Sequence, residues 1–442
     1  MLLTLGGHHA GRRFPGRVQS ALAAAGTLLA SLLAPLLLNL SAAAQEPITL
    51  RYFTWDAGPA IQSIYEDFIE PFEALHPHIK IEHEATDFGT YWNKLLTYYA
   101  AGLSPDLMHM SVGYVYEYAE EGLLLNLQPL FDRDLNPADF FLEPMKAVRY
   151  PSMETGDLYA MPFSFVMSTT YYNKTLFDQT GVAYPSSGWT YDDLREIGRR
   201  LVRDENGDGM PERWGFHSNY DYQLLEPVIH AFGGRVLDDE FNVAVTQPGA
   251  VAGVQYLVDL IHRDQVAPPL DLLGDRNAAF RNAQVAMIIA NSFDLGTYRE
   301  LADFDWDVVT LPEGPARRVN RVWPDSFAIS SKVPQEHQEA AWEFIKFVVT
   351  STKVDAYYHG ARRIPIYRPL AESLEWLEAG RTPNKQVFIE SIATGEPLEF
   401  RPNWGDWHNA RAATLRPAWL GQIPVEQALL DWAQAIANAI RD

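Results

Sequence analysis

Residues 48–53 read Ile-Thr-Leu-Arg-Tyr-Phe, and residues 79–82 read Ile-Lys-Ile-Glu. Both segments are short, and their branched and aromatic side chains are typical of β-strands. Between them, from Pro59 to Leu75, apolar residues recur at the spacing of an α-helix, and Pro77 ends the pattern. A strand, a helix and a second strand in this order predict an α/β fold, in which helices cover the faces of a sheet.

The alternation of strands and helices continues along the 442 residues. A chain of this length exceeds what one hydrophobic core usually holds, so two domains are expected. Because no long linker separates two halves, we expect the chain to cross between the domains more than once. One downstream helix is predicted to begin at a capping box formed by Thr190 and Asp193. The pattern predicts helices at residues 91–101, 114–121, 192–202, 249–264, 335–350 and 425–440, and strands at residues 106–110, 285–290 and 306–311.

Residues 1–44 are typical of a secretory signal peptide. Three arginines at positions 12, 13 and 17 precede an apolar run at residues 21–40, and alanines at residues 42–44 offer a cleavage site. An uncleaved membrane anchor is the alternative, since about 20 apolar residues span a bilayer. The chain has no cysteine, which excludes an acylated cysteine of the bacterial lipoprotein type. The sequence therefore predicts a soluble periplasmic protein.

The chain is strongly acidic, with a formal net charge of −22. Removal of the signal segment takes away three of the 35 basic residues and none of the 57 acidic ones, which leaves −25. Nucleic-acid binding requires basic surface, so this charge opposes it. It also opposes attachment to anionic lipid.

Several catalytic classes lack their motifs in this sequence. It contains no phosphate-binding P-loop, no zinc-binding His-Glu-x-x-His helix and no Gly-x-Ser-x-Gly turn, and it has no cysteine for thiol chemistry. A pair of glycosidase carboxylates remains possible among the 57 acids, because no spacing rule identifies such a pair from sequence.

One segment resembles a metal-binding loop. Asp204, Asn206, Asp208 and Glu212 occupy positions 1, 3, 5 and 9 of an EF-hand pattern, but position 12 is Gly215 instead of a bidentate glutamate. A surface turn held by hydrogen bonds from side chain to backbone is the favoured alternative. We therefore expect no cofactor, and calcium is a weak candidate.

The order of several short segments resembles the family 1 extracellular solute-binding proteins of ABC importers, the family of the maltose-binding protein. The most specific marks are YAMP at residues 159–162 and YYNKTLF at residues 171–177, with WTYDDL at residues 189–194 following at the family's distance. Weaker marks in the same order are FEALHP at 72–77, PDL at 105–107, GLL at 122–124, FGG at 232–234, AMI at 286–288, FAI at 327–329 and RIP at 363–365.

This resemblance implies a two-lobe periplasmic binding protein fold with the ligand cleft between the lobes. One lobe would comprise residues 46–166 and 310–359, and the other residues 168–309 and 360–442. The lobes would close on a ligand by a hinge motion. The protein would then act as a monomer that presents a sugar or short oligosaccharide to the permease subunits of an ABC importer, without catalysis.

A sugar has apolar C–H faces, which aromatic rings cover, and hydroxyl groups, which charged and polar side chains bind. Candidate ligand residues are therefore rings and polar groups near strand ends and crossing segments. Asp87 has a helix cap as its alternative role, and Arg362 and Arg363 have an interlobe salt bridge. Trp323 and Asp325 stand where relatives often carry small residues, which implies a shortened or walled-off cleft. The candidates are Trp55, Asp56, Asp87, Tyr91, Ser111, Tyr114, Ser164, Tyr220, Asn291, Phe293, Trp323, Asp325, Arg362, Arg363, Trp404, Asp406 and Trp407.

Three alternative functions remain open at this point. The same fold would bind a glycerophosphodiester or another polar metabolite, but a phosphate group favours Arg, Lys and helix N-termini. A secreted glycoside hydrolase would require two carboxylates beside a sugar site. A role as a sensory binding partner for a membrane receptor is compatible with transport.

Overall fold

The computed structural model describes most of the chain after the predicted signal peptide, which lies outside the described residues together with Gln45. In this part of the chain, no helix combines the length and the apolar character that crossing a membrane requires. The described residues are 46–441 except 57–58, 219, 221, 239, 241, 296–297, 299–302, 352–362, 379–383, 398 and 400–403.

Ten of the strands form one mixed sheet, in which seven follow the order β2-β1-β3-β10-β6-β8-β7. In addition, β9 and β11 pair with β6, β12 pairs with β10, and β4 and β5 form a separate pair. The strands are β1 (Ile48–Thr54), β2 (Ile79–Ala85), β3 (Leu107–Ser111), β4 (Arg149–Tyr150), β5 (Asp157–Leu158), β6 (Met161–Asn173), β7 (Trp214–His217), β8 (Val285–Asn291), β9 (Trp306–Val309), β10 (Asn320–Ile329), β11 (Ile364–Pro365) and β12 (Gly395–Glu396).

Seventeen α-helices surround these strands in the described residues. They are α1 (Pro59–Ile64), α2 (Glu70–Leu75), α3 (Phe88–Ala100), α4 (Val112–Glu120), α5 (Gln128–Asp134), α6 (Leu142–Lys146), α7 (Lys174–Thr180), α8 (Tyr191–Leu201), α9 (Tyr222–Ala231), α10 (Pro248–His262), α11 (Arg276–Arg281), α12 (Gln335–Thr350), α13 (Arg368–Ala371), α14 (Leu374–Glu378), α15 (Gln386–Ser391), α16 (Trp404–Trp419) and α17 (Val425–Arg441). Shorter turns of other helical types lie at Tyr65–Ile69, Pro137–Asp139, Ser292–Asp294 and Ile392–Thr394.

Two long strands connect the two ends of the sheet. All residues of β6 are buried, and its N-terminal part pairs with β10 while its C-terminal part pairs with β8 and β9. β10 likewise pairs with β3 toward its C-terminal end. We call β1, β2 and β3 with their helices the β1 side, and β7 and β8 with their helices the β8 side. The parallel β1–β2 and β1–β3 pairs and the parallel β7–β8 pair confirm the predicted α/β organisation.

The packing of two segments bears on the predicted lobe boundaries, which stay a prediction. Residues 310–319 were assigned to the first lobe, but Glu313 pairs with Thr190 and Val319 lies in the hydrophobic core of the β8 side. Residues 366–392 were assigned to the second lobe, but the carbonyl of Ile366 accepts a hydrogen bond from the backbone of Phe141 at 3.2 Å, and its N–H donates one to the carbonyl of Phe163 at 3.3 Å. The chain therefore crosses within β10, because Val319 directly before this strand lies in the core of the β8 side and the C-terminal part of the strand pairs with β3. The pattern of apolar residues alone does not reveal this.

Candidate functional site

A cavity of about 390 Å³ lies beside the crossing strands β6 and β10. Among the described residues, its lining combines aromatic rings, one carboxylate and two guanidinium groups, and it includes residues of both the β1 side and the β8 side. The lining residues are Trp55, Phe88, Ser111, Val166, Asn291, Phe293, Arg321, Trp323, Asp325 and Arg363.

Strand ends place several of these side chains. Trp55 follows β1 directly, Ser111 is the last residue of β3, and Asn291 is the last residue of β8. Carboxyl ends of strands at a switch in strand order form the usual ligand crevice of open α/β sheets. The crossing strands supply the floor, where Val166 of β6 pairs with Trp323 of β10.

Charged groups converge on Arg363, which follows the part of the chain that the structure leaves undescribed at residues 352–362. Its Nη1 atom contacts Oδ2 of Asp325, and its Nη2 atom lies 3.6 Å from Oδ1 of Asp56. Burial raises the pKa of Asp325, and the positive charge of Arg363 opposes that rise while Asp56 adds to it. The register shift in β10 between Asp325 and Ser326 re-aims the strand at this point.

Behind Asp56, a buried polar chain continues into the β1 side. Nδ1 of His109 lies 3.1 Å from Oδ2 of Asp56, and Nε2 of His109 lies 2.6 Å from the hydroxyl of Tyr52. His109 is fully buried, so these two groups hold its ring in one orientation. The arrangement fixes Asp56, and through it Arg363, at the edge of the cavity.

Arg321 and Trp323 form another part of the lining. The guanidinium carbon of Arg321 lies 4.4 Å from the centre of the Trp323 ring, which is a cation–π contact. Nη1 of Arg321 lies 3.5 Å from Oδ1 of Asn291. Because Arg321 is 3% exposed, its guanidinium is held in place before any ligand arrives.

Phe88 and Phe293 are the exposed rings of the cavity. They are 47% and 41% exposed, Phe88 at the start of α3 and Phe293 in the turn after β8. The Trp55 ring packs edge-on against Phe88, with ring centres 5.5 Å apart. Phe88 belongs to the β1 side and Phe293 to the β8 side. Each ring presents apolar surface at the cavity, which suits the C–H face of a sugar.

Seven of the predicted ligand residues line this cavity, and three lining residues were not predicted. The three are Phe88, Val166 and Arg321. The predicted residues that line it are Trp55, Ser111, Asn291, Phe293, Trp323, Asp325 and Arg363.

Four predicted ligand residues lie in hydrophobic interiors instead. Tyr91 is fully buried and donates its hydroxyl to the carbonyl of His109, 2.7 Å away. Tyr220 stacks on Trp419, with ring centres 5.1 Å apart, in the core of the β8 side. Trp407 lies in the same core, and Ser164 is buried in β6. These four residues therefore do not line the cavity, and their ligand roles stay predictions.

The other predicted residues do not line the cavity either. Asp87 caps α3 by accepting a hydrogen bond from the backbone of Thr90, 3.0 Å away, as its alternative role required. Tyr114 stacks on Trp92, with ring centres 3.6 Å apart. Asp56 lies beside Arg363 and Trp404 beside Trp323, but both lie outside the lining itself. Asp406 does not line the cavity, and Arg362 lies outside the described residues.

Two other cavities are larger but are weaker candidates for a ligand site. One of about 560 Å³ lies between α8 and α10, and one of about 840 Å³ lies beside β12. In the larger, Arg235 pairs with Glu399 at 2.6 Å and Arg317 pairs with Glu396 at 2.6 Å, so these charges already satisfy one another. The smaller cavity at the strand ends is therefore the better candidate for a ligand site.

Hydrogen bonds to its own carboxylates stabilise the loop at residues 204–212. Asp204 accepts hydrogen bonds from the backbone of Gly207 and Gly209 at 2.7 and 2.9 Å, and Glu212 accepts one from Glu205 at 2.7 Å. No group of three or more His, Cys, Asp or Glu residues in the described ranges is placed to hold a metal ion. The surface-turn interpretation accounts for this geometry.

Known proteins with a similar sequence or structure indicate the family of this chain. A putative binding protein of Brucella abortus is 23% identical over 93% of this chain and 97% of its own length. The maltotriose-binding protein of Pyrococcus abyssi is 23% identical over 66% of this chain and 60% of its own. The structure of an ABC substrate-binding protein of Listeria monocytogenes in complex with cycloalternan superposes with a TM-score of 0.75 at 23% identity, over 89% of this chain and 99% of that one. Residues 56–353 fit the model of one family, and the protein belongs to the bacterial extracellular solute-binding proteins.

Proposed function

We propose that the protein captures a sugar or short oligosaccharide outside the cytoplasmic membrane and delivers it to the permease of an ABC importer. The observation that carries this proposal is the joining of rings and fixed charges in one cavity: Trp55, Phe293 and Trp323 beside the Arg363–Asp325 pair. Rings bind the apolar faces of a pyranose, and charged groups form strong hydrogen bonds with its hydroxyls. Relatives named for maltotriose and arabinooligosaccharide binding support the same ligand class.

The proposal includes export by a signal peptide at residues 1–44, release without a lipid anchor, and action as a monomer. It includes neither catalysis nor a metal cofactor. A retaining glycosidase needs two carboxylates about 5 Å apart on either side of the sugar. Among the described residues that line the cavity, Asp325 is the one carboxylate, and it already binds Arg363.

A second candidate ligand is an anionic metabolite such as a glycerophosphodiester. Arg321 is the observation that favours it, because a buried guanidinium in the cavity suits a phosphate group. Arg363 favours it less, because Asp325 and Asp56 both face its guanidinium.

Thermal unfolding of the purified mature protein with a ligand panel tests the proposal. The panel contains monosaccharides, gluco-, xylo- and arabino-oligosaccharides and glycerophosphodiesters, and each mixture is analysed for products. A ligand at 100 times its Kd stabilises the folded state by about 2.7 kcal/mol, which is readily seen as a rise in Tm. A rise with one sugar series and no product supports the proposal. A rise with phosphodiesters alone selects the second candidate, and release of a shorter sugar contradicts a pure binding function.

A further inference from the structure

The wall of the cavity at Trp323 continues into a stack of flat groups. The Trp323 ring lies 5.6 Å from the Trp404 ring, and the Trp404 ring lies 4.0 Å from the His408 ring at an interplanar angle of 30°. The guanidinium of Arg321 packs on the Trp323 ring, as described above. Four flat side chains from β10 and α16 therefore pack in sequence.

This stack of side chains also contacts the β1 side. A Cβ atom added to Gly113 of α4 would lie 2.9 Å from Cε3 of Trp404, closer than real Cβ atoms come. The absence of a side chain at Gly113 thus allows the indole to rest on the α4 backbone. The helix that carries Trp404 is anchored in the core of the β8 side through Trp407. Trp404 therefore joins the two sides directly beside the cavity.

A longer oligosaccharide needs an open end of the cleft through which its further rings extend. The cavity volume of about 390 Å³ lies near the lower end of the roughly 300–1,000 Å³ that is typical of small-molecule sites. The Trp404 indole packs against Trp323, with ring centres 5.6 Å apart, and does not itself line the cavity.

We infer that Trp323 and Trp404 close one end of the cleft, so that the cavity takes a monosaccharide or disaccharide and rejects longer chains. This inference rests on the proposed function, because it specifies the length of the sugar that the same cavity binds. Trp404 is then a determinant of specificity that does not line the cavity, whereas Trp323 contacts the ligand itself.

Calorimetric titration with sugars of increasing length tests this inference. The probes are glucose, xylose and arabinose and their linear oligomers of two, three and four units. In the wild-type protein we expect the tightest binding at one or two units and at least tenfold weaker binding at three. In Trp404→Ala, the trisaccharide should gain at least tenfold relative to the disaccharide, because the space behind Trp323 becomes available.

Two further variants separate this effect from a general disturbance of α16. Trp404→Phe keeps an aromatic ring and should shift the length preference less, and the exposed Asn409→Ala on the same helix should not shift it. Tighter binding of three or four units by the wild type overturns the inference while leaving sugar binding intact. An unchanged length preference in both Trp404 variants, with folding verified by thermal unfolding, also overturns it. If no sugar of any length binds, the proposed function fails and the inference fails with it.

Discussion

Nδ1 of His109 lies 3.1 Å from Oδ2 of Asp56, and this contact links the interior of the β1 side to the edge of the cavity. On its other oxygen, Asp56 faces Arg363 at 3.6 Å, and Arg363 in turn contacts Asp325. A change at Asp56 therefore reaches a cavity residue without touching the cavity lining.

Asp56→Asn should weaken both folding and ligand binding. It removes the negative charge beside His109 and Arg363, and a buried polar group that loses its partner costs about 1–3 kcal/mol. We expect the free energy of unfolding to fall by that amount and the Kd for the sugar to rise by about tenfold, which corresponds to 1.4 kcal/mol. Urea unfolding and calorimetric titration measure the two effects.

The exposed Asp431→Asn is the matched control, since it makes the same chemical change on α17 away from the cavity. It should leave both quantities unchanged. Wild-type affinity in Asp56→Asn would show that Arg363 keeps its position without Asp56, and the positioning role would have to be abandoned.

Glu226 should make stability depend on pH. Burial raises the pKa of Glu226 to about 7 from 4.5, an effect that the charge of Arg411 partly opposes, and Oε1 of Glu226 lies 3.6 Å from Nδ1 of His408. Between these two pKa values the folded state holds a proton that the unfolded state has lost, so stability falls as pH rises from about 4.5 to about 7. The full effect is at most about 3 kcal/mol.

Glu226→Gln tests this, because glutamine imitates the protonated acid at every pH. Below pH 4.5 the variant and the wild type should differ little, and above pH 7 the variant should be the more stable. Burial lowers the pKa of His408, which acts with the opposite sign below pH 6.5. Because His408 lies 3.6 Å from Glu226, the substitution also alters this contribution, so the comparison above pH 6.5 is the one that isolates Glu226. A constant difference in Tm between pH 4 and pH 9 would mean that Glu226 does not titrate in this range.

The capping box of α8 gives a prediction about stability alone. Thr190 accepts a hydrogen bond from the backbone of Asp193 at 3.1 Å, and Asp193 accepts one from the backbone of Thr190 at 2.8 Å, which confirms the box predicted from sequence. Thr190→Ala should lower the free energy of unfolding by about 1 kcal/mol, because it leaves a helix N–H without its partner. Thr190→Ser keeps the hydroxyl and should restore most of the loss, and equal losses in both variants would point to another cause.

The position of a residue in its strand or helix decides whether its place at the cavity can be predicted from sequence. Trp55 and Asn291, predicted from sequence as ligand residues, line the cavity because they stand at strand ends, and a strand end places its side chain at the crevice whatever the exact packing. Arg321 was missed because it lies inside β10, where only the register with β6 and β12 decides which way a side chain points. Tyr91, also predicted as a ligand residue, does not line the cavity because its helix begins three residues earlier, at Phe88, and the phase of that helix turns Tyr91 inward.

The extent of the crossing segments also depended on packing that sequence periodicity does not encode. β6 is buried along its whole length, so it shows no alternation between an apolar and a polar face. The point at which such a strand passes from one side to the other is set by its partners. For this reason the predicted boundary near residue 310 stays a prediction, whereas β10, in which the chain passes between the sides, begins at Asn320.

Tryptophan fluorescence should report ligand binding mainly through Trp55 and Trp323, since both line the cavity. A sugar that covers these rings displaces water from them, and their emission should then shift in wavelength or intensity. Trp323→Phe should reduce the signal change by about a third or more while the protein still binds, because phenylalanine retains part of the apolar face. Trp376→Phe is the control, because Trp376 is buried beside Lys385 away from the cavity and should leave the change intact. If Trp376→Phe abolished the change and Trp323→Phe did not, the ligand would lie elsewhere, and the assignment of the site to this cavity would be wrong.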